Sequence, residues 1–544
     1  MVSRTFTPHL NGWSFSTGLI ASVFVAPIVY LGSHLFGESG EVWTFVVVNL
    51  LPEYALNSLV LLLAVGFMTI LIATPAAWLI AVYNFPGSSF FSWALVLPLA
   101  IPSYITAYTY AGIFDYGGPV REGLAALGLD RLGTHLEIIN IYGVISCMTF
   151  ALYPYVYLMA RSSFSQQSNT VIEAAQSLGQ TPLQAFWRLA LPLARPAIVA
   201  GASLVGMETL NEYGAVKYYG IDTFTTGIFT AWFSMGDADA AIRLAASAMI
   251  FVFVLLSLEK TQRRRRLFSQ GPQSHPFRRR RLVGFKGAGA FILCLLPFTL
   301  GFALPALQLC TWALRTGHRI LGVDFFELMF NSFALAGLAA VLVVIVALLF
   351  VYTGRIHESY FVRLLGRIAT LGYSVPGAVI AVGVLLSLSQ ADRILDQTTK
   401  EWFGFSTGPF FSATLITLIF AYMVRFLAVG FQAVQAGFEG LGSHVEEAAR
   451  SLGAGPLRTL VQVDLPLIKV ALLSAAMLVF VDVLKELPLT LILRPFNFDT
   501  LATRAFELAS DEDIAASANA ALIIASLGTL PILLINRLML RSEK

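Results

Sequence analysis

The feature that most constrains this chain is its series of long apolar stretches. About twelve of them have the roughly 20 mostly apolar residues that a helix needs to cross about 30 Å of hydrocarbon. Hydrophobic residues make up 57% of the sequence and charged residues only 12%, whereas soluble domains have about 45–50% and 25%. The sequence therefore predicts an all-α polytopic membrane protein, not several soluble domains. The predicted spans are approximately 15–36, 56–82, 89–112, 138–160, 193–214, 240–258, 288–313, 329–352, 361–386, 409–433, 467–492 and 514–538.

One polar stretch occurs twice. From Glu173 the sequence reads EAAQSLGQTPLQAFWRLALPL, and from Glu447, 274 residues later, it reads EAARSLGAGPLRTLVQVDLPL. Matches at the same offset extend through both halves, which predicts two parallel repeats of six spans each without a net insertion, related by an axis along the membrane normal. The matches are Asn57-Ser58 with Asn331-Ser332, Pro102 with Pro376, Glu208 with Asp482, Glu212 with Glu486, and Phe224 and Thr226 with Phe498 and Thr500.

The repeat also sets the expected domain boundaries. We expect a first repeat at 1–259 with its polar loop at 170–193, a basic linker at 260–286, and a second repeat at 287–544 with its polar loop at 443–467. The transport pathway is expected to run between the two halves. The first span follows a short leader without a small-residue cleavage pattern, so it is expected to be retained as a span.

Each copy of the polar stretch predicts a helix, a sharp turn and a second helix, an arrangement called an elbow below. Thr170 to Glu173 and Ser443 to Glu446 fit a capping box at the start of the first helix. Gly179 and Gly453 end that helix, because a residue without Cβ adopts the left-handed conformation cheaply. A cap-type residue followed by proline then starts the second helix, at Thr181-Pro182 and Gly455-Pro456.

The spacing of the stretch has a known counterpart. Glu-Ala-Ala, three residues, Gly, nine residues, an aliphatic residue (Leu189 or Val463), one residue and Leu-Pro resembles the signature loop of bacterial ABC-importer permeases. The resemblance implies the type I ABC-importer permease fold, with cytoplasmic loops whose short coupling helices dock onto a separate ATPase dimer. An ordinary polar turn between membrane helices is the alternative, which a duplication at fixed spacing disfavours. The matching positions are Glu173, Ala174, Ala175, Gly179, Pro182, Leu191 and Pro192 in the first copy and Glu447, Ala448, Ala449, Gly453, Pro456, Leu465 and Pro466 in the second.

The basic linker predicts the topology. It contains two runs of four arginines, at 263–266 and 278–281. Positive residues beside a span resist translocation, so the linker and, by parity, both elbows and both termini are expected in the cytoplasm. We expect a multi-pass protein of the bacterial inner membrane, surrounded by lipid. The linker has few aromatic residues and is too short for a domain, so no nucleic-acid partner is expected.

Ionisable residues inside spans are costly and are therefore candidates for function. Glu208 and Glu212, four residues apart, are expected to share a helix face with Glu212 near its outer end. Symmetric carboxylates beside a tyrosine would offer oxygen ligands to a highly charged cation. Alternatively, Asp482, Lys485 and Glu486 neutralise one another within one turn, and the first two acids meet water. The candidate substrate-path residues are Glu208, Glu212, Tyr213, Asp482 and Glu486, and the metal ligands stay unknown.

Several kinds of site are missing from the sequence. It contains no G-x-x-x-x-G-K-[ST] phosphate loop, no metal-binding His/Glu spacing and no nucleophile elbow. The three cysteines form no Cys-x-x-Cys pair and predict neither a disulfide framework nor a cysteine metal site. We therefore expect a transport subunit without a cofactor and not an enzyme, with energy supplied by a partner or an ion gradient.

Two further stretches narrow the resemblance. Residues 217–233 and 482–512 resemble ferric-iron importer permeases, which are fused twelve-span proteins with two signature loops. The resemblance implies that a periplasmic binding protein delivers Fe(III), which crosses by alternating access. Permeases for thiamine and for aminophosphonates share the duplicated plan and stay alternatives. A twelve-span secondary transporter would have no use for a doubled elbow, and a scaffold or sensor is disfavoured by a repeat around intramembrane acids.

Overall fold

The computed structural model describes residues 12–34, 40–129, 137–167, 179–264, 280–317, 323–356, 360–412, 414–442 and 444–542. Within these ranges the chain is mainly helical, and the regular strands are β1 (Tyr83–Asn84) and β2 (Arg280–Arg281). The predicted all-α fold class is therefore confirmed.

Helices of the first half include the long membrane helices and several short connecting ones. They are α1 (Gly12–His34), α2 (Glu41–Phe45), α3 (Leu51–Val82), α4 (Ser88–Ala94), α5 (Ser103–Phe114), α6 (Pro119–Ala126), α7 (Ile141–Gln166), α8 (Pro182–Ala185), α9 (Leu191–Asn211), α10 (Gly214–Tyr218), α11 (Phe224–Phe229) and α12 (Ala238–Arg264).

Helices of the second half follow a similar order. They are α13 (Phe285–Phe298), α14 (Leu304–Thr316), α15 (Val323–Ile356), α16 (Tyr360–Ala369), α17 (Gly377–Phe403), α18 (Leu415–Glu439), α19 (His444–Ser451), α20 (Pro456–Thr459), α21 (Leu465–Leu484), α22 (Pro488–Leu493), α23 (Leu501–Ser510) and α24 (Ile514–Ser542).

The number of membrane-crossing helices is close to the prediction. Ten helices among the described residues are long and apolar enough to cross a membrane, and a bent pair, Ser88–Ala100 with Ser103–Ala126, raises the number to eleven. The sixth predicted span, 240–258, lies in α12, whose side chains are described only in part. The polytopic membrane fold is confirmed.

The chain forms two compact units that differ from the two sequence repeats. Unit 1 comprises 1–46, 228–249 and 321–503, and unit 2 comprises 47–227, 250–320 and 504–544. In unit 1 the first helix, α1, packs against α15, α16 and α17 of the second half. In unit 2, α13 packs against α3 and α4, and α14 packs against α5 and α24. Each unit therefore combines the middle of one half of the sequence with the ends of the other half. The repeat boundaries at 259 and 287 stay a prediction.

The end of the basic linker is tied to the first half. Strand β2, the last two residues of the second arginine run, pairs in parallel with β1, and the Leu282 N–H donates to the Asn84 carbonyl at 2.9 Å. Residues 265–279 of the linker lie outside the described ranges.

Leu-Pro pairs produce a recurrent local structure. Proline has no N–H, so the carbonyl four residues earlier loses its helical partner. In a π turn the N–H donates to the carbonyl five residues earlier instead of four. The Leu191 N–H, for example, donates to the Phe186 carbonyl. The helix therefore continues through the proline. The π turns of this kind are Val46–Leu50, Phe186–Ala190, Thr299–Ala303 and Leu460–Asp464, which precede Leu51-Pro52, Leu191-Pro192, Leu304-Pro305 and Leu465-Pro466.

Helices α7 and α9 cross closely at a glycine. A Cβ at Gly201 would lie 2.7 Å from the Val156 Cα and 3.0 Å from the Tyr155 carbonyl oxygen. Small residues permit such backbone contact between membrane helices. The crossing positions α9, which carries part of the candidate site.

Replacing Gly201 by alanine is expected to destabilise unit 2, because the new methyl group meets backbone that cannot move aside. Overpacking of this kind costs about 1–3 kcal/mol. The measurement is the thermal midpoint of the detergent-solubilised protein, followed by size-exclusion chromatography after heating. Gly337→Ala in α15 is the control, since a Cβ there meets no atom within 4 Å. Equal midpoints for the two variants would contradict the close crossing.

Candidate functional site

The turn of the second elbow has the predicted glycine geometry. Glu447, Ala448 and Ala449 lie on α19, and Gly453 follows with φ of +79°. The Ala454 N–H donates to the Ala449 carbonyl at 3.1 Å, the long bond of a Schellman turn. A Cβ at Gly453 would meet no atom within 4 Å, so this position needs glycine for its backbone conformation and not for space.

The second helix of this elbow also begins as predicted. Gly455 is its extended N-cap and Pro456 its first residue. After one turn the helix passes through the π turn Leu460–Asp464 and continues as α21 from Leu465. The second helix of the elbow and the membrane helix are therefore one continuous helix from Pro456 to Leu484.

The first elbow is described from Gly179 onward. Gly179 has φ of +82°, as expected for a helix-ending glycine. The Thr181 N–H donates to the Gln184 side-chain oxygen at 2.9 Å, and the Gln184 N–H donates to the Thr181 hydroxyl at 3.3 Å. This reciprocal pair is a capping box. It confirms Thr181-Pro182 as the start of the second helix. The capping box itself could have been identified from the sequence by the spacing Thr-x-x-Gln.

Some predicted elbow residues are not covered by the structure. Glu173, Ala174 and Ala175 lie outside the described residues, as does the predicted cap at Thr170. In the second copy Ser443 and the side chain of Glu446 are also outside them. Both capping boxes at the start of the first elbow helices therefore stay predictions.

Each elbow exposes a pair of apolar side chains at equivalent positions. Leu183 and Trp187 are 67% and 61% exposed, and Leu457 and Val461, 274 residues later, are 62% and 53% exposed. Residues four apart lie on one helix face. Large apolar side chains exposed together mark a site of contact with another protein or with the membrane.

The second elbow is held by side chains from the end of α15. The Tyr352 hydroxyl donates to the Pro456 carbonyl, where α20 begins. The Arg355 guanidinium donates to the Phe438 carbonyl at 2.6 Å and to the Gly442 carbonyl at 2.9 Å, where α18 ends. One helix end thus contacts the chain on both sides of the first elbow helix, α19.

An aromatic contact supports the first elbow instead. The Trp78 ring lies 5.2 Å from Phe164 and 5.3 Å from Phe186, the first residue of the π turn. The equivalent pair in the second repeat, Tyr352 and Phe438, lies 6.2 Å apart. Sequence analysis missed this support, although aromatic residues at a common offset of 274 were a usable signal.

The glutamates at the other end of α9 and α21 have capping roles. Helix α9 ends at Asn211, and Glu212 has an extended backbone. Its carboxylate accepts the Ala215 N–H at 2.8 Å and the Ser103 hydroxyl. In the second repeat Glu486 accepts the Leu489 N–H at 3.2 Å. The expectation that Glu208 and Glu212 share one helix face is therefore wrong, because the helix ends between them and Glu212 caps α10.

The remaining candidates have mixed surroundings. Asp482 pairs with Lys485 at 2.8 Å, as the local neutralisation hypothesis expects. Glu486 does not join them, because it pairs with Arg425 of α18. Sequence analysis missed Arg425, an arginine inside a predicted span, although such residues are candidates by the same rule. Glu208 is half-buried on α9, and the buried Tyr213 ring lies 5.9 Å from Phe506.

The repeat register changes beyond Glu486. The Thr223 N–H donates to the Thr226 hydroxyl at 2.7 Å, and the Thr500 N–H donates to the Thr503 hydroxyl at 2.9 Å. Thr223 therefore corresponds to Thr500, an offset of 277. The predicted matches of Phe224 with Phe498 and of Thr226 with Thr500 are wrong, because three extra residues precede this cap in the second half.

Among the described residues no group of three or more His, Cys, Asp or Glu is placed to hold a metal ion. Cys147, Cys294 and Cys310 are free thiols.

Comparison with known proteins gives the family. The sequence matches the binding-protein-dependent transport system inner membrane component family over residues 46–258 and again over 351–543. The chain belongs to this family. Each match includes one elbow, so the predicted duplicated permease is confirmed.

Relatives of this chain are named for different substrates. The chain is 27% identical over 493 residues to the Fe(3+)-transport system permease protein FbpB 2 of Haemophilus influenzae, with 90% of both proteins covered. It is 32% identical over 142 residues to the sulfate transport system permease protein CysT of Escherichia coli, with 26% of this chain and 49% of that protein covered. A probable sulfate permease of Chlorokybus atmophyticus is 26% identical over 222 residues, covering 39% of this chain and 74% of that protein.

Replacing Arg355 by methionine is expected to loosen the second elbow of this permease. Hydrogen bonds from a charged donor are worth about 1.5–3 kcal/mol each. Loss of even 1–2 kcal/mol changes an opening equilibrium roughly 5–30-fold. Limited chymotrypsin digestion in detergent, read by mass spectrometry, should show faster cleavage between 438 and 457. Arg393→Met, at an exposed position on α17, is the control, and equal cleavage rates would remove this role from Arg355.

Proposed function

We propose that this permease is the membrane-spanning subunit of an ATP-driven importer and that its two elbows dock onto a separate cytoplasmic ATPase dimer. Family membership supports dependence on a binding protein. The matched exposed pairs, Leu183 with Trp187 and Leu457 with Val461, carry the docking proposal, because each gives a partner an apolar face on a short helix. The basic linker supports cytoplasmic elbows and termini.

The double variants Leu183→Ser/Trp187→Ser and Leu457→Ser/Val461→Ser are expected to weaken ATPase binding at least tenfold. Fully burying one such side chain contributes about 1.5–3 kcal/mol. Gly453→Val should act in the same direction, because a β-branched residue disfavours the left-handed backbone at the turn. The measurement is the amount of ATPase subunit that co-purifies with tagged permease from membranes.

Leu314→Ser is the matched control for this experiment, since Leu314 is 86% exposed and lies outside the elbows. Undiminished ATPase in both double-variant preparations would contradict docking at the elbows.

We further infer that the imported substrate is ferric iron, delivered by a periplasmic binding protein and passed inward by alternating access. The observation that supports iron is the alignment of a relative named for Fe(3+) transport across 90% of this chain. The sulfate relatives align with 26–43% of it. Sulfate is the second candidate because those relatives bear its name, and it joins the thiamine and aminophosphonate alternatives.

Uptake of radioactive Fe(III) and of radioactive sulfate should be compared in cells that express the permease with its binding protein and ATPase. We expect iron uptake that requires all three components and exceeds sulfate uptake at least tenfold. ATP-dependent sulfate uptake without iron uptake would transfer the assignment to sulfate.

The same uptake assay tests whether the candidate carboxylates take part in transport. Glu212 and Glu486 cap helices, so their removal would mix folding with transport. Glu208 and Asp482 are matched positions one turn earlier, and we propose them as oxygen donors along the path. Glu208→Gln/Asp482→Asn should then lower iron uptake per inserted permease at least tenfold, whereas exposed Glu401→Gln should not. Unchanged uptake in the double variant would assign both acids to local structure.

A further inference from the structure

Arg425 joins three segments of the second repeat. Its side chain, on α18, is only 7% exposed, and its Nε lies 3.3 Å from a carboxylate oxygen of Glu486. Its guanidinium also donates to the Val375 carbonyl at 3.2 Å. Val375 is the extended residue between a 3₁₀ turn, Thr370–Ser374, and the N-cap of α17. Arg425 thus contacts both the start of α17 and the junction of α21 with α22.

That junction lies at the far end of the helix that begins at the second elbow. The continuous helix runs from Pro456 to Leu484, and Glu486 follows it and caps α22. A buried ion pair with one partner removed leaves an uncompensated charge. Glu486 therefore depends on Arg425 for its place.

In the first repeat the equivalent glutamate is held by different residues. At the offset of 274, Arg425 corresponds to Ala151 and Gly377 corresponds to Ser103. The Ser103 hydroxyl donates to the carboxylate of Glu212, the counterpart of Glu486, and Ala151 is buried. In the first repeat the glutamate is thus held by a hydroxyl at the start of a helix.

The space at Gly377 explains why one repeat does not contain both the arginine and the serine. A Cβ at Gly377 would lie 2.6 Å from the Glu486 carboxylate and 3.2 Å from an Arg425 nitrogen. The arginine therefore requires glycine at 377, whereas the serine at 103 is accompanied by alanine at 151.

We infer that Arg425 is a positioning residue that holds the α21–α22 junction, so that movement of the second elbow is transmitted along α21 to the start of α17. Arg425 and Gly377 form one interdependent pair, for which Ala151 and Ser103 are the counterpart. This inference rests on the proposed coupling of the elbows to an ATPase.

The test uses three variants that introduce the residues of the first repeat into the second: Arg425→Ala, Gly377→Ser and Arg425→Ala/Gly377→Ser. Permease, ATPase and binding protein are reconstituted in proteoliposomes, and the stimulation of ATP hydrolysis by loaded binding protein is measured. We expect each single variant to lower the stimulation at least fivefold. The double variant, which reproduces the first repeat, should return to within twofold of the wild type, and the control Arg393→Ala should match the wild type.

Mutual rescue separates positioning from general stability, because two unrelated destabilising changes add in their effects. Wild-type stimulation in either single variant would overturn the inference, as would a double variant no better than the worse single one. If a single variant fails to accumulate in the membrane, recovery of both membrane level and stimulation in the double variant supports the pair, and no recovery overturns it. Absence of stimulation in the wild type would instead contradict the proposed ATPase coupling.

Discussion

Backbone hydrogen bonding in hydrocarbon is the constraint on which the rest of this permease depends. The bilayer core supplies no partner for a free N–H or C=O, so every break in a helix must be repaired within the protein. The Leu-Pro pairs show how this is done: in the π turn the leucine N–H donates to the carbonyl five residues earlier, and the helix stays continuous, as from Phe186 into α9 and from Leu460 into α21. Because of this repair, the second helix of each elbow continues into a membrane helix, over Leu183–Asn211 in one repeat and Pro456–Leu484 in the other. Where a helix does end, before Glu212 and before Glu486, the glutamate carboxylate accepts a backbone N–H of the next helix.

The two repeats keep the geometry and change the chemistry. Under the first elbow an indole ring packs on Phe164, and under the second the equivalent Tyr352 adds a hydrogen bond to the elbow backbone. At the other end of the same helices, a hydroxyl in one repeat is replaced by a guanidinium in the other. A fused chain permits this divergence, since each half needs to fit only its own neighbours. The consequence is that equivalent substitutions in the two halves have different effects.

Sequence patterns identified the parts of this site that are set by local backbone chemistry. Gly179 and Gly453 were predictable because a left-handed turn favours glycine, and Pro182 and Pro456 because proline fits a helix start. The end of α9 before Glu212 was not, since residues 211–213 include no glycine or proline and only the contact with Ser103 and Ala215 shows the break. Arg425 needed the fold as well, because its partner is 61 residues away in sequence. The three-residue register shift after Glu486 was hidden by chance matches at the constant offset.

The packing of α1 has a consequence for how the protein is made. Its neighbours α15, α16 and α17 begin roughly 300 residues later in the chain, and at a synthesis rate of about 5–20 residues per second they emerge roughly 15 to 60 s after it. During this interval the first helix is already synthesised, but the three later helices against which it packs are not. The hydroxyl of its buried Thr17 already has a partner within the helix, because it donates to the Trp13 carbonyl at 3.0 Å. Assembly of unit 1 is therefore necessarily a late event, completed only when the second half of the chain has entered the membrane.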